Sequence, residues 1–261
     1  MSIRYFKATV EYDGSDFSGF QWQHGERTVQ GALEAAILQR TGQQIRLTGA
    51  GRTDAGVHAV GQVVSFSAET RIPVDRMAIA LNSALPSDCS VRSVAEVAPE
   101  FSARFSASSR VYGYVIRCCD TRSPLWRRFS APCKYRLNVS NMQSAASYLI
   151  GEQDFAAFTN QLQPDEPTMR DVMRCSVAQH GRFVVVRIEA NAFLRGMVRC
   201  VVGTLMQVGD GTRSPEYIRD LIDSRDRRLA GPSAPPQGLC LLRVRYGERR
   251  NYKRLNKEPA P

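Results

Sequence analysis

Hydrophobic and polar residues alternate along residues 4–12, RYFKATVEY, with the period of two that is typical of a strand with one buried face. A polar loop follows, and apolar residues then recur at helical spacing over 29–40, with Thr28 as the predicted N-cap. The pattern in the rest of the first half predicts strands at 45–48, 60–67 and 91–97 and a helix at 73–85.

The second half repeats this order of elements loosely, without repeating the residues. The pattern predicts strands at 111–118, 172–179, 183–190 and 238–246, and helices at 141–150, 193–208 and 215–223. Each half therefore follows the order β-α-β-β-α-β, the split βαβ or ferredoxin-like plan. We expect an α+β fold in which the two halves form a mixed, mainly antiparallel sheet, with helices on one face and a central cleft where the halves meet.

Length and composition agree with a globular protein of about two domains. We predict an N-terminal half at 1–106, a C-terminal half at 107–247 and a loosely ordered basic tail at 248–261. The chain has 35 Lys and Arg residues against 25 Asp and Glu, a formal net charge of +10, which favours nucleic acid over a membrane as partner. Charge alone leaves a merely soluble basic protein equally open.

The cysteines and histidines add little to the predicted chemistry of the protein. The seven cysteines include no C-x-x-C pair and the three histidines are far apart in sequence, so neither a zinc site nor a disulfide framework is indicated. The chain starts with an alternating pattern rather than an apolar signal segment, and no apolar run is long enough to cross a bilayer. We expect a protein of the reducing cytoplasm.

The stretch GAGRTDAGVHAVGQ, residues 49–62, carries the candidate chemistry. Glycine allows sharp turns and close approach of another molecule, and Arg52 near Asp54 would favour the ionised carboxylate, which can act as a nucleophile or base. On the residues alone, an Asx-type turn that only satisfies loop amides is the more frequent role for such an aspartate, and a structural role is the simpler one for His58. The stretch matches no phosphate-binding loop, which counts against nucleotide hydrolysis.

Several strings, taken in order, resemble a known family. GRTDAGVH, preceded by EYDGSDFSGFQWQ, is similar to the catalytic segment of the TruA-type tRNA pseudouridine synthases. The similarity continues in FSARFSA, SRVYGY, GEQDFAAF, NAFLRGMVR and GLCL, so it spans about residues 5–246. The resemblance implies the pseudouridine synthase fold and an isomerase without cofactor or metal, which breaks the N1–C1′ bond of a uridine in tRNA, turns the uracil and joins C5 to C1′.

The resemblance also implies a role for individual residues. Asp54 would form a transient covalent bond with C6 or C1′ of the substrate, and Arg199 would pair with Asp54. Tyr112 would stack on the target uracil and assist loss of the C5 proton, although the strand pattern alone would make it a core residue. Arg52 would enter the RNA as the target base is displaced, and Leu241 would belong to the substrate-binding set.

Further expectations concern the basic residues and the partners. Arg195 and Arg199 would share one face of the helix predicted at 193–208, a repulsive arrangement unless an anion lies nearby. Other basic residues would bind phosphates: Arg104, Arg110, Lys134 and Arg170. The resemblance implies the anticodon stem-loop of tRNA as substrate, at tRNA positions 38, 39 and 40, and a homodimer. Two other classes stay open: an RNA-binding module without catalysis, and an enzyme with an aspartyl-phosphate intermediate, which would need a carboxylate cluster for a metal.

Overall fold

The computed structural model describes residues 2–159, 161–162 and 166–247, so the predicted basic tail at 248–261 lies outside the described residues. The strands within this part of the chain are β1 Arg4–Tyr12, β2 Thr48–Gly49, β3 His58–Ala68, β4 Cys89–Glu96, β5 Ala107–Cys118, β6 Ala131–Cys133, β7 Gly151–Asp154, β8 Met169–His180, β9 Phe183–Ala190 and β10 Leu239–Tyr246. The α-helices there are α1 Val29–Thr41, α2 Val74–Asn82, α3 Val139–Ser147, α4 Met197–Gly209 and α5 Tyr217–Ser224.

The strands form one open sheet in the order β4-β1-β3-β10-β5-β9-β8-β7, with β2 paired to β3 and β6 paired to β5. The order β4-β1-β3-β2 in the first half and β10-β5-β9-β8 in the second is the strand order of a split βαβ unit, so the predicted plan is confirmed in both halves. The halves join where β10 pairs in parallel with β3 and antiparallel with β5. The α+β fold with a mixed, mainly antiparallel sheet is therefore confirmed.

Local sequence explains where the best-predicted elements begin and end. Along β1 every second side chain from Phe6 to Tyr12 is buried, as the alternation predicts. Helix α1 begins after Thr28, whose hydroxyl accepts a hydrogen bond from the Gly31 N–H, and ends at Gly42, which has a φ of 72°. Such caps can be read directly from the residue types.

The structure differs from the sequence prediction at several boundaries. Helix α4 begins at Met197 and not at 193, because Gly196 adopts a φ of 71° at the N-cap position and the chain before it forms a turn. The strand predicted at 45–48 is the two-residue β2, and the short strands β6 and β7 were missing from the prediction. No helix of the described residues is both long and apolar enough to cross a bilayer.

Candidate active site

Asp54 lies in the loop between β2 and β3, residues 50–57, which we call the catalytic loop. Its Oδ2 is 3.2 Å from Nη1 of Arg199, in the first turn of α4, and about a third of the Asp54 side chain is exposed, 34%. Arg199 is itself held by Ala234, whose carbonyl accepts from Arg199 Nε at 2.7 Å and whose N–H donates to the Arg199 carbonyl at 2.9 Å. The carboxylate thus has a fixed counter-charge and an open side.

Hydrogen bonds with buried side chains of β1 and β3 hold the catalytic loop in place. The hydroxyl groups of Thr53 and Tyr12 share a hydrogen bond of 2.8 Å, and Gln62 Nε2 donates to the Gly51 carbonyl at 2.8 Å. Burial raises the pKa of Tyr12 above its ordinary value, so this hydroxyl stays protonated at neutral pH. Asp54 is therefore presented by a loop whose neighbouring residues are hydrogen-bonded into the core.

The side chain of Asp54 accepts no hydrogen bond from a loop amide of the described residues, so the Asx-turn alternative is wrong. Its backbone carbonyl accepts from the Val57 N–H at 3.2 Å instead. The cation that pairs with Asp54 is Arg199, 145 residues further along the chain, and not its neighbour Arg52. Arg52 is exposed and makes no hydrogen bond or ion pair with any residue that the structure describes.

Tyr112, on β5, lies beside the catalytic loop with only 7% of its surface exposed. Its ring meets Phe193 edge to face, with centroids 5.1 Å apart, and a Cβ built on Gly51 would lie 3.7 Å from its hydroxyl oxygen. Burial raises the pKa of Tyr112, and the charge of Asp54 adds to this shift while that of Arg110 opposes it. The hydroxyl is protonated at neutral pH and donates no hydrogen bond to a described residue.

Leu241 lies at the seam between the two halves. It is opposite Tyr112 in the pairing of β10 with β5 and opposite Ala59 in the pairing of β10 with β3. The side chain is fully buried, 0% exposed. The contact of Leu241 with a substrate stays a prediction. In this structure its side chain is buried and does not line an open surface.

The structure corrects the expectations for Arg195 and Arg110. Arg195 lies before α4, where its guanidinium donates to the Gln161 side chain, so it does not share a helix face with Arg199. Arg110 is 9% exposed and donates to backbone carbonyls instead of facing solvent. Arg170 donates to the carbonyls of Pro167 and Met169, and burial lowers its pKa. Arg104 and Lys134 are exposed, as phosphate contacts require.

His58 has the structural role that the residues favoured. Its Nδ1 lies 3.1 Å from the Gly14 nitrogen and 3.2 Å from Asp13 Oδ1, and its Nε2 lies 2.7 Å from the Arg128 carbonyl oxygen. His58 thereby connects the end of the catalytic loop to the segment after β5. Sequence reasoning missed this contact because no local pattern joins the two segments.

A cavity of about 310 Å³ opens beside this contact. It is lined by Ser15, Asp16, Gly56, Arg127, Arg128, Pro236 and Gln237.

The comparison with known families bears on the chemistry of this site. The sequence profile described as tRNA pseudouridine synthase matches residues 8–106 and 145–247. The chain belongs to the tRNA pseudouridine synthase family. Relatives named tRNA pseudouridine synthase A agree: that of Syntrophomonas wolfei subsp. wolfei is 43% identical, covering 93% of this chain and 97% of the relative, and that of Moorella thermoacetica is 45% identical, covering 92% and 98%.

A solved structure, the archaeal box H/ACA sRNP Nop10-Cbf5 complex, matches more remotely, with 12% identity and a TM-score of 0.34 over 86% of this chain and 59% of that chain. The family and its close relatives make this protein an isomerase that forms pseudouridine in tRNA. Within the described residues, no group of three or more His, Cys, Asp or Glu side chains is arranged to hold a metal ion.

Proposed function

We propose that this synthase isomerises uridines at tRNA positions 38, 39 and 40, in the anticodon stem-loop, with Asp54 as the nucleophile. The observation that carries the role of Asp54 is its ion pair with Arg199 on one side and its partly exposed carboxylate on the other. A nucleophilic carboxylate needs an oxygen held in a fixed direction, and the contact with Arg199 supports this. The choice of the anticodon stem-loop rests on the family resemblance.

The reaction then needs no co-reactant, because it rearranges the atoms of one nucleotide. The Asp54 carboxylate forms a transient bond with C6 or C1′, the N1–C1′ bond breaks, and the uracil turns and bonds to C1′ through C5. The bond between Asp54 and the nucleotide then breaks, with its electron pair returning to the carboxylate. The C5 proton leaves and N1 takes up a proton. In this proposal Tyr112 stacks on the uracil and assists loss of the C5 proton, and Arg52 occupies the space that the displaced base leaves in the RNA. Leu241 belongs to the substrate-binding set.

We also propose that the protein acts in the cytoplasm as a homodimer, on the family resemblance. Sedimentation equilibrium with and without tRNA measures the mass of the assembly directly. A single chain of 29.1 kDa at all working concentrations and in the tRNA complex would contradict the dimer.

The decisive experiment follows tritium released from C5 of uracil in unmodified tRNA transcripts, because a new bond at C5 must expel that hydrogen. We expect release with the wild type and with Asp223→Asn, a control at an exposed aspartate of α5, and no release with Asp54→Asn, whose affinity for tRNA stays within severalfold. Substantial turnover by Asp54→Asn would refute the nucleophile.

The same assay tests the substrate position. Transcripts in which cytidine replaces the uridines at positions 38, 39 and 40 should bind but release no tritium. Undiminished release from these transcripts would move the target outside the anticodon arm. Binding without release from any transcript would favour the RNA-binding module without catalysis.

A further inference from the structure

Arg110 carries a buried guanidinium that joins three segments of the chain. On β5 its Nε and Nη2 donate to the Ala50 carbonyl at 3.2 and 2.9 Å, Nη2 also donates to the Arg104 carbonyl at 2.7 Å, and Nη1 donates to the Asn191 carbonyl at 2.7 Å. Ala50 belongs to the catalytic loop, Arg104 to the connection between β4 and β5, and Asn191 to the connection between β9 and α4.

These segments surround Tyr112. Arg110 and Tyr112 are two residues apart on one strand and project to the same face, so they meet consecutive residues of the catalytic loop: Arg110 at Ala50 and Tyr112 at Gly51. The segment that Arg110 holds through Asn191 continues to Phe193, whose ring lies against Tyr112. One side chain thus fixes the loop of the nucleophile and the residue that supports the stacking tyrosine.

Two of the three bonded residues, Ala50 and Asn191, are also held by other hydrogen bonds, which makes the arrangement rigid. The Ala50 N–H donates to the Val63 carbonyl of β3 at 2.8 Å while its carbonyl accepts from Arg110. The Asn191 N–H donates to the Asp171 carbonyl at 3.0 Å, and the Asn191 side chain accepts from the Asp171 N–H at 3.1 Å. A shift of the guanidinium would therefore be transmitted to the catalytic loop and to the Phe193 segment together.

We propose that Arg110 is a positioning residue for the isomerisation: its guanidinium sets the distance and direction of the Asp54 loop relative to Tyr112, without touching the RNA. This inference rests on the proposed role of Asp54. A planar guanidinium can reach carbonyls in several directions within one plane, whereas a lysine ammonium donates from a single atom. Lysine keeps the positive charge but cannot serve three separated segments at once.

The test compares Arg110→Lys with the wild type in two separate quantities: the affinity for tRNA and the single-turnover rate of tritium release at saturating tRNA. A displacement of about 1 Å at a reacting group can cost on the order of 10²-fold in rate. We expect the single-turnover rate of Arg110→Lys to fall by on the order of 10²-fold. The dissociation constant should stay within about threefold, since the residue is only 9% exposed and its guanidinium donates to backbone carbonyls.

Arg117→Lys is the matched control. Arg117 lies on the same strand, and its guanidinium also donates to a backbone carbonyl, that of Thr121 at 2.8 Å, but at the end of β5 remote from the catalytic loop. Arg117→Lys should leave the dissociation constant for tRNA and the single-turnover rate unchanged. A single-turnover rate of Arg110→Lys within twofold of the wild type would overturn the inference, as would a loss of affinity with an unchanged rate.

Folding is checked by thermal melts of each variant. If Arg110→Lys does not melt cooperatively, the same two constants are measured for Arg110→Gln, whose amide can still donate to one carbonyl. Failure of both variants to fold would overturn the positioning role and make Arg110 a residue needed for folding. Failure of the nucleophile proposal is recognised separately, because it appears as turnover by Asp54→Asn.

Discussion

Two tyrosines on the same face of β5 differ in what their hydroxyl groups do. The Tyr114 hydroxyl donates to the Pro235 carbonyl at 2.7 Å, whereas the Tyr112 hydroxyl donates to no residue of the described chain and lies next to Gly51. Burial raises the pKa of both, so both are protonated at neutral pH. At the scale of single residues, the hydroxyl of Tyr114 is used for the structure of the protein, whereas that of Tyr112 has no hydrogen-bond partner in the described chain.

Removing each hydroxyl should therefore have opposite consequences. Tyr112→Phe loses no hydrogen bond, so its free energy of unfolding should stay within about 0.5 kcal/mol of the wild type, while tritium release slows by on the order of 10²-fold if the hydroxyl takes part in proton transfer. Tyr114→Phe should lower the free energy of unfolding by about 1 kcal/mol and slow the reaction less. Urea unfolding measures the free energy of unfolding, and single-turnover tritium release measures the rate of the reaction. Unchanged kinetics of Tyr112→Phe would remove its hydroxyl from the mechanism.

At the scale of elements, the site depends on how closely β10 fits between β3 and β5. The pairing of β10 with β5 skips Leu242, which forms a bulge between Leu241 and Arg243. Glycines flank this bulge on both neighbouring strands. A Cβ on Gly61 would lie 2.3 Å from the Leu242 carbonyl oxygen, and one on Gly113 would lie 2.9 Å from the tip of the Leu242 side chain. The backbones of the two halves can approach only because Gly61 has no side chain.

The two glycines provide a matched pair of substitutions. Gly61→Ala pushes against backbone and should lower the free energy of unfolding by about 1–3 kcal/mol. Gly113→Ala meets a side chain that can rotate away, and should cost less than about 1 kcal/mol. Because β3 leads from the catalytic loop and β5 carries Tyr112, Gly61→Ala should also slow single-turnover release more than Gly113→Ala does. Equal effects of the two substitutions on unfolding would show that the seam is not tightly packed.

The helices and strands show how much of the fold could be predicted from the sequence. Long strands such as β1 and β9 have one buried face, so their alternation predicts them, and Thr28 and Gly42 mark the ends of α1 by residue type. Strands β6 and β7 are too short for any period to be seen. The sequence places the start of α4 early because Phe193 and Leu194 extend the apolar pattern of the helix, whereas Gly196, with a φ of 71°, ends the helical conformation on that side.

For the site, the resemblance supplied Asp54, Tyr112 and Arg199, whereas the residues alone offered only Arg52 as a cation near Asp54. The true partner is distant in sequence, and a local pattern carries no information about such a pairing. Arg110 is expected from the sequence to bind a phosphate, and only the fold reveals the backbone carbonyls that satisfy its buried guanidinium.

At the scale of the whole molecule, the net charge of +10 agrees with a polyanionic substrate, but most arginines of the site are committed to the protein. Arg199 pairs with Asp54 and Arg110 with backbone carbonyls. Arg52 differs, because it is exposed on the catalytic loop and has no partner within the described residues. We therefore expect Arg52 to account for part of the salt dependence of tRNA binding, and the buried arginines for none.

Salt titration of tRNA binding tests this division of roles. The logarithm of the wild-type affinity should fall linearly and steeply with the logarithm of salt concentration, because bound phosphates release counterions. Arg52→Ala should weaken binding and reduce that slope by about one unit if Arg52 contacts a phosphate.

Arg71→Ala is the matched control. Arg71 is also exposed and without a partner in the described chain. It follows the end of β3 opposite to the catalytic loop, about 30 Å away at the usual rise per residue. It should change neither affinity nor slope. Equal slopes for the wild type and Arg52→Ala would place Arg52 away from the phosphates, and a flat response of the wild type would contradict binding dominated by phosphate contacts.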